Sequence, residues 1–152
     1  MKMSETYPIE EITAGVADNC LWVSIGFSSK LEKLDVLHVV CAMSVDAQDR
    51  TLGHDSIYME RFDQAYSCYS GAERIEVKPQ SIEVALKSRG SKNLSLSRNV
   101  LFVVPPRLKG WSTASRIFKR MSSMPCGRIV SVIGTSPTSR STRSRAKTRA
   151  PG

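Results

Sequence analysis

Ile82, Val84 and Leu86 alternate with Glu83, Ala85 and Lys87. A two-residue apolar period of this kind suits a strand with one buried face, and it excludes a helix over the same residues. The period recurs at Leu21, Val23, Ile25 and Phe27, with Trp22, Ser24 and Gly26 between them. Trp22 puts a large ring on the second face, so that face is expected to be covered too. Leu34 to Met43 is the most apolar run; its length would also suit a buried helix segment, but its branched residues favour a central strand. His38 within it is expected to be a core or edge histidine bonded to backbone.

Ser56 to Phe62 reads as a further strand, with Ile57 and Met59 opposite Tyr58 and Glu60. Asp63 and Gln64 turn the chain, Ala65 to Tyr69 runs back, and Ser70-Gly71 turns it again. Glu73 to Val77 pairs with Ile82 to Leu86 across Lys78-Pro79-Gln80, where proline removes a ladder donor. A short strand near Ile9 to Ala14 and another within Leu94 to Val104 complete the set. Ser44 to Gly53 and Ser88 to Asn93 read as polar connections, and Ile129 to Ile133 as a short edge strand or a chance run.

Trp111, Ala114, Ile117, Phe118 and Met121 recur at helical spacing, with Arg116, Lys119 and Arg120 between them. Ser112 or Thr113 is placed to cap this helix. The expected fold class is α+β: an antiparallel sheet meander with one amphipathic helix packed on it. Residues 1–133 form one α+β domain in this reading. Residues 134–152, Ser/Arg-rich and nearly without apolar side chains, form a disordered basic tail.

The net charge of +8 conceals two compositions. Up to Ser97 there are ten bases and fourteen acids, a net −4; beyond it there are twelve bases and no acid, a net +12. Such a basic remainder would attract phosphate, and nonspecific nucleic-acid binding through residues 107–149 is the alternative functional reading. Cys20, Cys41, Cys68 and Cys126 are too far apart for a zinc knuckle or a CxxC motif, so free buried thiols are expected. No apolar run is long enough to span a membrane, and the acidic start does not resemble a secretory signal, so a cytoplasmic location is expected.

Asn19-Cys20-Leu21-Trp22-Val23, Ala47-Gln48-Asp49, Leu52-Gly53-His54-Asp55, Tyr58, Glu60, Gln64 and Tyr69-Ser70-Gly71-Ala72-Glu73 follow one another in a suggestive order. Together they resemble a family of bacterial immunity proteins from polymorphic toxin systems, small cytoplasmic proteins that neutralise a cognate toxin. The likeness covers about residues 18–87 and departs at Ser70-Gly71-Ala72, where the family pattern has a second glycine. It fits the acid-free remainder poorly. That leaves open a change of reading frame after Leu86, or beyond Met121 if the closing helix is native.

The resemblance implies work done by binding, without catalytic residues, cofactor or metal. Asp46, Asp49, Asp55, Glu60, Asp63, Glu73 and Glu76 are the candidates for complementarity with a basic toxin. Tyr66 and Tyr69, with Tyr58, are the candidate anchors. The alternative for each is solvated surface for the acids and sheet packing for the tyrosines. Catalysis has thin support: no nucleophile elbow or phosphate loop occurs, and His54 beside Asp55 is the only suggestively placed base. A metal bound by His54, Asp55 and Asp49 has weaker support still.

Overall fold

The computed structural model of the chain describes residues 4–30 and 32–134. Within them, five antiparallel strands in chain order make one sheet, here called the meander sheet. They are β2 (Glu11–Ala17), β3 (Cys20–Phe27), β4 (Asp35–Ala42), β5 (Tyr58–Arg61) and β6 (Asp63–Tyr69). The mixed sheet contains β1 (Ser4–Pro8), β7 (Ala72–Lys78), β8 (Ser81–Leu86), β9 (Asn99–Val103) and β10 (Val130–Val132). Its order is β1-β9-β8-β7-β10, with both edge pairs parallel and the inner pairs antiparallel.

The α+β class holds, but the expected single meander is divided between two sheets. Alternation fixes which face a residue takes within a strand and carries no information on which sheet the strand joins. Ser70, at φ +55°, and Gly71 carry the chain from β6 into the mixed sheet instead of closing a hairpin. Ile129 to Ile133 does hold an edge strand, β10, parallel to β7. The disordered tail expected from residue 134 onward falls, beyond Gly134 itself, outside the described residues.

The inner faces of both sheets share one core. Leu21, Val23, Ile25, Leu37 and Met59 from one meet Ile75, Val77, Ile82 and Phe102 from the other. Phe27 and Phe102 touch edge to face across the sheets at 5.1 Å, with Tyr7 at 4.7 Å from Phe27. Helix α3 (Trp111–Ser122) buries Ala114, Ile117, Phe118 and Met121, the stripe read from the sequence, against β2, β3 and β10. Its start is not capped by Ser112 or Thr113. Gly110 occupies that position at φ +89°, where a Cβ would come 2.5 Å from the Ile12 carbonyl oxygen. The acid-free chain up to Val132 is therefore built into both sheet and core.

Ser88 to Asn93 is not a loop but most of helix α2 (Ser88–Leu94), set against β5, β6 and β8. Its serines and glycine have little helical preference, so packing decides the matter. Gly90 lies directly on Gly71, and a Cβ at residue 90 would fall 2.1 Å from the Gly71 oxygen. Gly90→Ala is expected to destabilise the fold by about 1–3 kcal/mol despite alanine's better helix propensity, measured by urea unfolding.

One inner position of the meander sheet is a cation. Arg61 on β5 is 2% exposed and Asp35 on β4 is 0% exposed. Arg61 Nε and Nη2 donate to Asp35 Oδ2 at 3.0 and 2.8 Å, and Nη1 donates to the Leu94 carbonyl at 3.1 Å and to that of Ser95. Ser29 Oγ donates to the same Asp35 oxygen at 2.6 Å. Removing one partner strands the other charge in the core. Arg61→Ala is expected to cost about 3–5 kcal/mol in chemical denaturation, with most of it recovered by pairing Arg61→Met with Asp35→Leu.

Strand β1 is tied to the start of β9 through Glu5. Its carboxylate accepts from the Ser97 N–H at 2.9 Å and from the Tyr7 hydroxyl at 2.7 Å. Partial burial opposes the charge, but these bonds outweigh it and hold Glu5 below its ordinary value of 4.5. Burial first, and Glu5 after it, push Tyr7 up to about 12, so its hydroxyl remains a donor. A lowered folded value means that Glu5 stabilises the protein fully above pH 4.5 and less as the pH falls through the folded value. Glu5→Gln should flatten the loss of thermal stability below that pH, and an unchanged acid slope would contradict the assignment.

Candidate functional site

The outer face of the meander sheet follows from the same alternation that fills its core. Register places Gly15, Trp22, Val40, Tyr58 and Tyr69 in one row across all five strands. The next row is Thr13, Ser24, His38, Glu60 and Ser67. Among the described residues no helix or strand is laid over these rows, and Trp22, Val40, Tyr58, Glu60 and Tyr69 are all half-buried. The expectation that the Trp22 face is covered is thus corrected. The ring lies along Gly15, where an added Cβ would come within 3.1 Å of it, so a missing side chain shelters the indole instead of a second layer.

Tyr58 leans the other way. Its ring is 4.8 Å from that of Tyr69, which in turn stacks on His54 at 4.4 Å. With Trp22 inclined toward β2 and Tyr58 toward β6, Val40 between them is left as the floor of a groove of about 480 Å³. Glu60, His38 and Asp18 also line it. The Tyr58 hydroxyl donates to Glu60 Oε1 at 2.8 Å, and Ser24 Oγ lies 2.6 Å from His38 Nδ1. His38 is therefore bonded to a side chain on the neighbouring strand, not to backbone as expected. Burial first, with Glu60 adding to it, raises the Tyr58 phenol; burial, with Asp49 among the lesser causes, raises Tyr69.

The carboxylates singled out in the sequence divide into three places. At the end of the sheet where β4 leaves and β5 enters, the supposed polar connection contains a short helix, α1 (Ala47–Thr51). Asp46 Oδ1 accepts from the Asp49 N–H at 2.8 Å, and Asp49 Oδ2 accepts from the Asp46 N–H at 3.1 Å, a capping box. The His54 N–H then donates to the Asp49 carbonyl at 2.8 Å, which sets the ring against Tyr69 and leaves Asp55 exposed beside it. Glu60 and Tyr69 lie on the open face and Asp49 comes near Tyr69, whereas Asp55 lines a separate pocket with Arg50, Cys126 and Arg128. Asp63 and Tyr66 lie at the β5–β6 hairpin tip of the same sheet: Asp63 accepts from the Ala65 N–H at 2.7 Å, and Tyr66 stacks on Phe62 at 4.9 Å. Glu73 and Glu76 are on β7 in the mixed sheet, where Glu76 is 3.7 Å from Arg74.

Reading from the sequence passed over Trp22, His38, Val40 and Asp18 as members of this site. The signal was present, since the first three occupy the alternate positions of β3 and β4 that the core does not use. Among the described residues no group of three or more histidines, cysteines or carboxylates is placed to hold a metal ion. No helix among them is long and apolar enough to cross a membrane.

A family model described as Immunity protein 10 matches residues 9–107, which include the whole meander sheet and β7 to β9. No curated protein and no solved structure matches the chain. The match begins and ends beyond both limits of the motif order read from the sequence, and it spans the open face with its aromatic row. The chain belongs to the Immunity protein 10 family, and its role is that of a non-enzymatic immunity protein that neutralises a cognate toxin.

Proposed function

We propose that neutralisation is by occlusion, with the open face of the meander sheet laid on the toxin's working surface. The observation that carries this reading is the row Trp22–Val40–Tyr58–Tyr69, apolar and aromatic, left without a covering layer on a sheet whose other face forms the core. Tyr58 and Tyr69, held ring to ring, and Trp22, laid along Gly15, are suited to anchor an interface because little side-chain freedom remains to be lost. In this reading Glu60 stands among them, with Asp46 and Asp49 at the end of the sheet. Asp63 and Tyr66 extend the surface at the hairpin tip, while Asp55, beside Arg50 and Arg128, lies off it. This rim favours a basic partner, hastening encounter and rejecting acidic surfaces. Glu73 and Glu76 fall outside the surface in this reading, on the sheet turned the other way.

The test uses the toxin encoded beside this gene. Tyr58→Ala and Tyr69→Ala should each weaken binding about 30-fold, the ~2 kcal/mol expected of an interface anchor. Glu83→Gln on the mixed sheet should leave binding unchanged. Equal affinity for all variants in titration calorimetry would show that the toxin docks elsewhere.

A further inference from the structure

We infer that the groove over Val40 is a socket for one arginine side chain of the toxin. The inference rests on the docking face proposed above and names the group that enters it. Strands β3 and β5 are two strand spacings apart, about 10 Å, so Trp22 and Tyr58 stand on either side of β4. Each ring inclines away from Val40, one onto Gly15 and the other onto Tyr69. What remains between them is an apolar floor with aromatic walls, and an aliphatic stem can lie on such a floor with its charged head beyond it.

The charges at the groove are of one sign. Glu60 and Asp18 line it, and no lysine or arginine does. Glu60 spends one oxygen on the Tyr58 hydroxyl and makes no ion pair among the described residues. A half-buried carboxylate beside aromatic faces is complementary to a cation that is planar, weakly hydrated and able to reach two oxygens. Guanidinium has those properties and ammonium does not. His38, held at Nδ1 by Ser24, keeps the floor of the second row polar next to Glu60.

The test pairs the full chain with the toxin encoded beside its gene. Glu60→Gln and Val40→Phe, the latter filling the socket, should each weaken binding at least tenfold while thermal melting shows both variants folded. Double-mutant cycles of Glu60→Gln against each Arg→Gln and Lys→Gln change in the toxin should find one arginine whose coupling to Glu60 is about tenfold. Coupling to no toxin residue, or to a lysine, would overturn the assignment. If Tyr69→Ala weakens binding while Glu60→Gln and Val40→Phe do not, the socket fails and the docking face stands. If all three bind as the unaltered chain does, both fail.

Discussion

The buried pair of Arg61 and Asp35 fixes where everything on the meander sheet points. A guanidinium in the core is tolerated only with its donors satisfied, and here they are shared between one carboxylate and the carbonyls of Leu94 and Ser95 that end α2. A slip of β5 by one residue would pull Arg61 out of this arrangement and turn Tyr58 and Glu60 inward. Register on β5 is thus set by charge as well as by apolar patterning. The same contact ties the meander sheet to the segment that leads into β9. The open face owes its composition to an interaction on the side of the sheet it never sees.

The bases of the acid-free stretch after Glu83 have structural employment that composition conceals. Arg89 donates to the carbonyls of Tyr69 and Ser70 at 3.0 and 3.2 Å, holding the passage between the sheets, and Arg98 donates to the Leu86 carbonyl at 2.7 Å. Backbone oxygens take the place of acids as partners for these cations. Helix α3 and strand β10 lie outside the family match yet supply Ala114, Ile117, Phe118, Met121 and Val130 to the core. The family match continues in this frame to residue 107, well past Leu86, and the helix stripe that packs on the core runs on to Met121.

Most of the strands were legible because period-two alternation is a local property. Leu21 to Phe27, Ser56 to Phe62 and Ile82 to Leu86 each needed only their own residues. The division into two sheets was not legible, since it depends on Gly71 meeting Gly90, nineteen positions away in the sequence. Nor was the Arg61–Asp35 pair, whose members are separated by 26 residues and look like any two surface charges. The carboxylates from Asp46 to Glu60 could be singled out together because they are close in the sequence. Trp22 and Val40 could not, because a half-buried outward position and a covered one have the same pattern in one strand.

The order in which the strands pair has a bearing on synthesis. Every neighbour in the meander sheet is also a neighbour along the chain, so its pairings close short loops. The mixed sheet waits for both ends: β1 has no partner until residues 99–103 arrive, and β7 has a bare edge until Val130–Val132. The meander strands can therefore begin to pair before the mixed sheet is complete, while Arg61 gains the Leu94 and Ser95 carbonyls only later. Among the described residues β10 is the last strand made, and it moves the sheet's edge from the seven-residue β7 to a strand of three, a shorter template for pairing with another molecule.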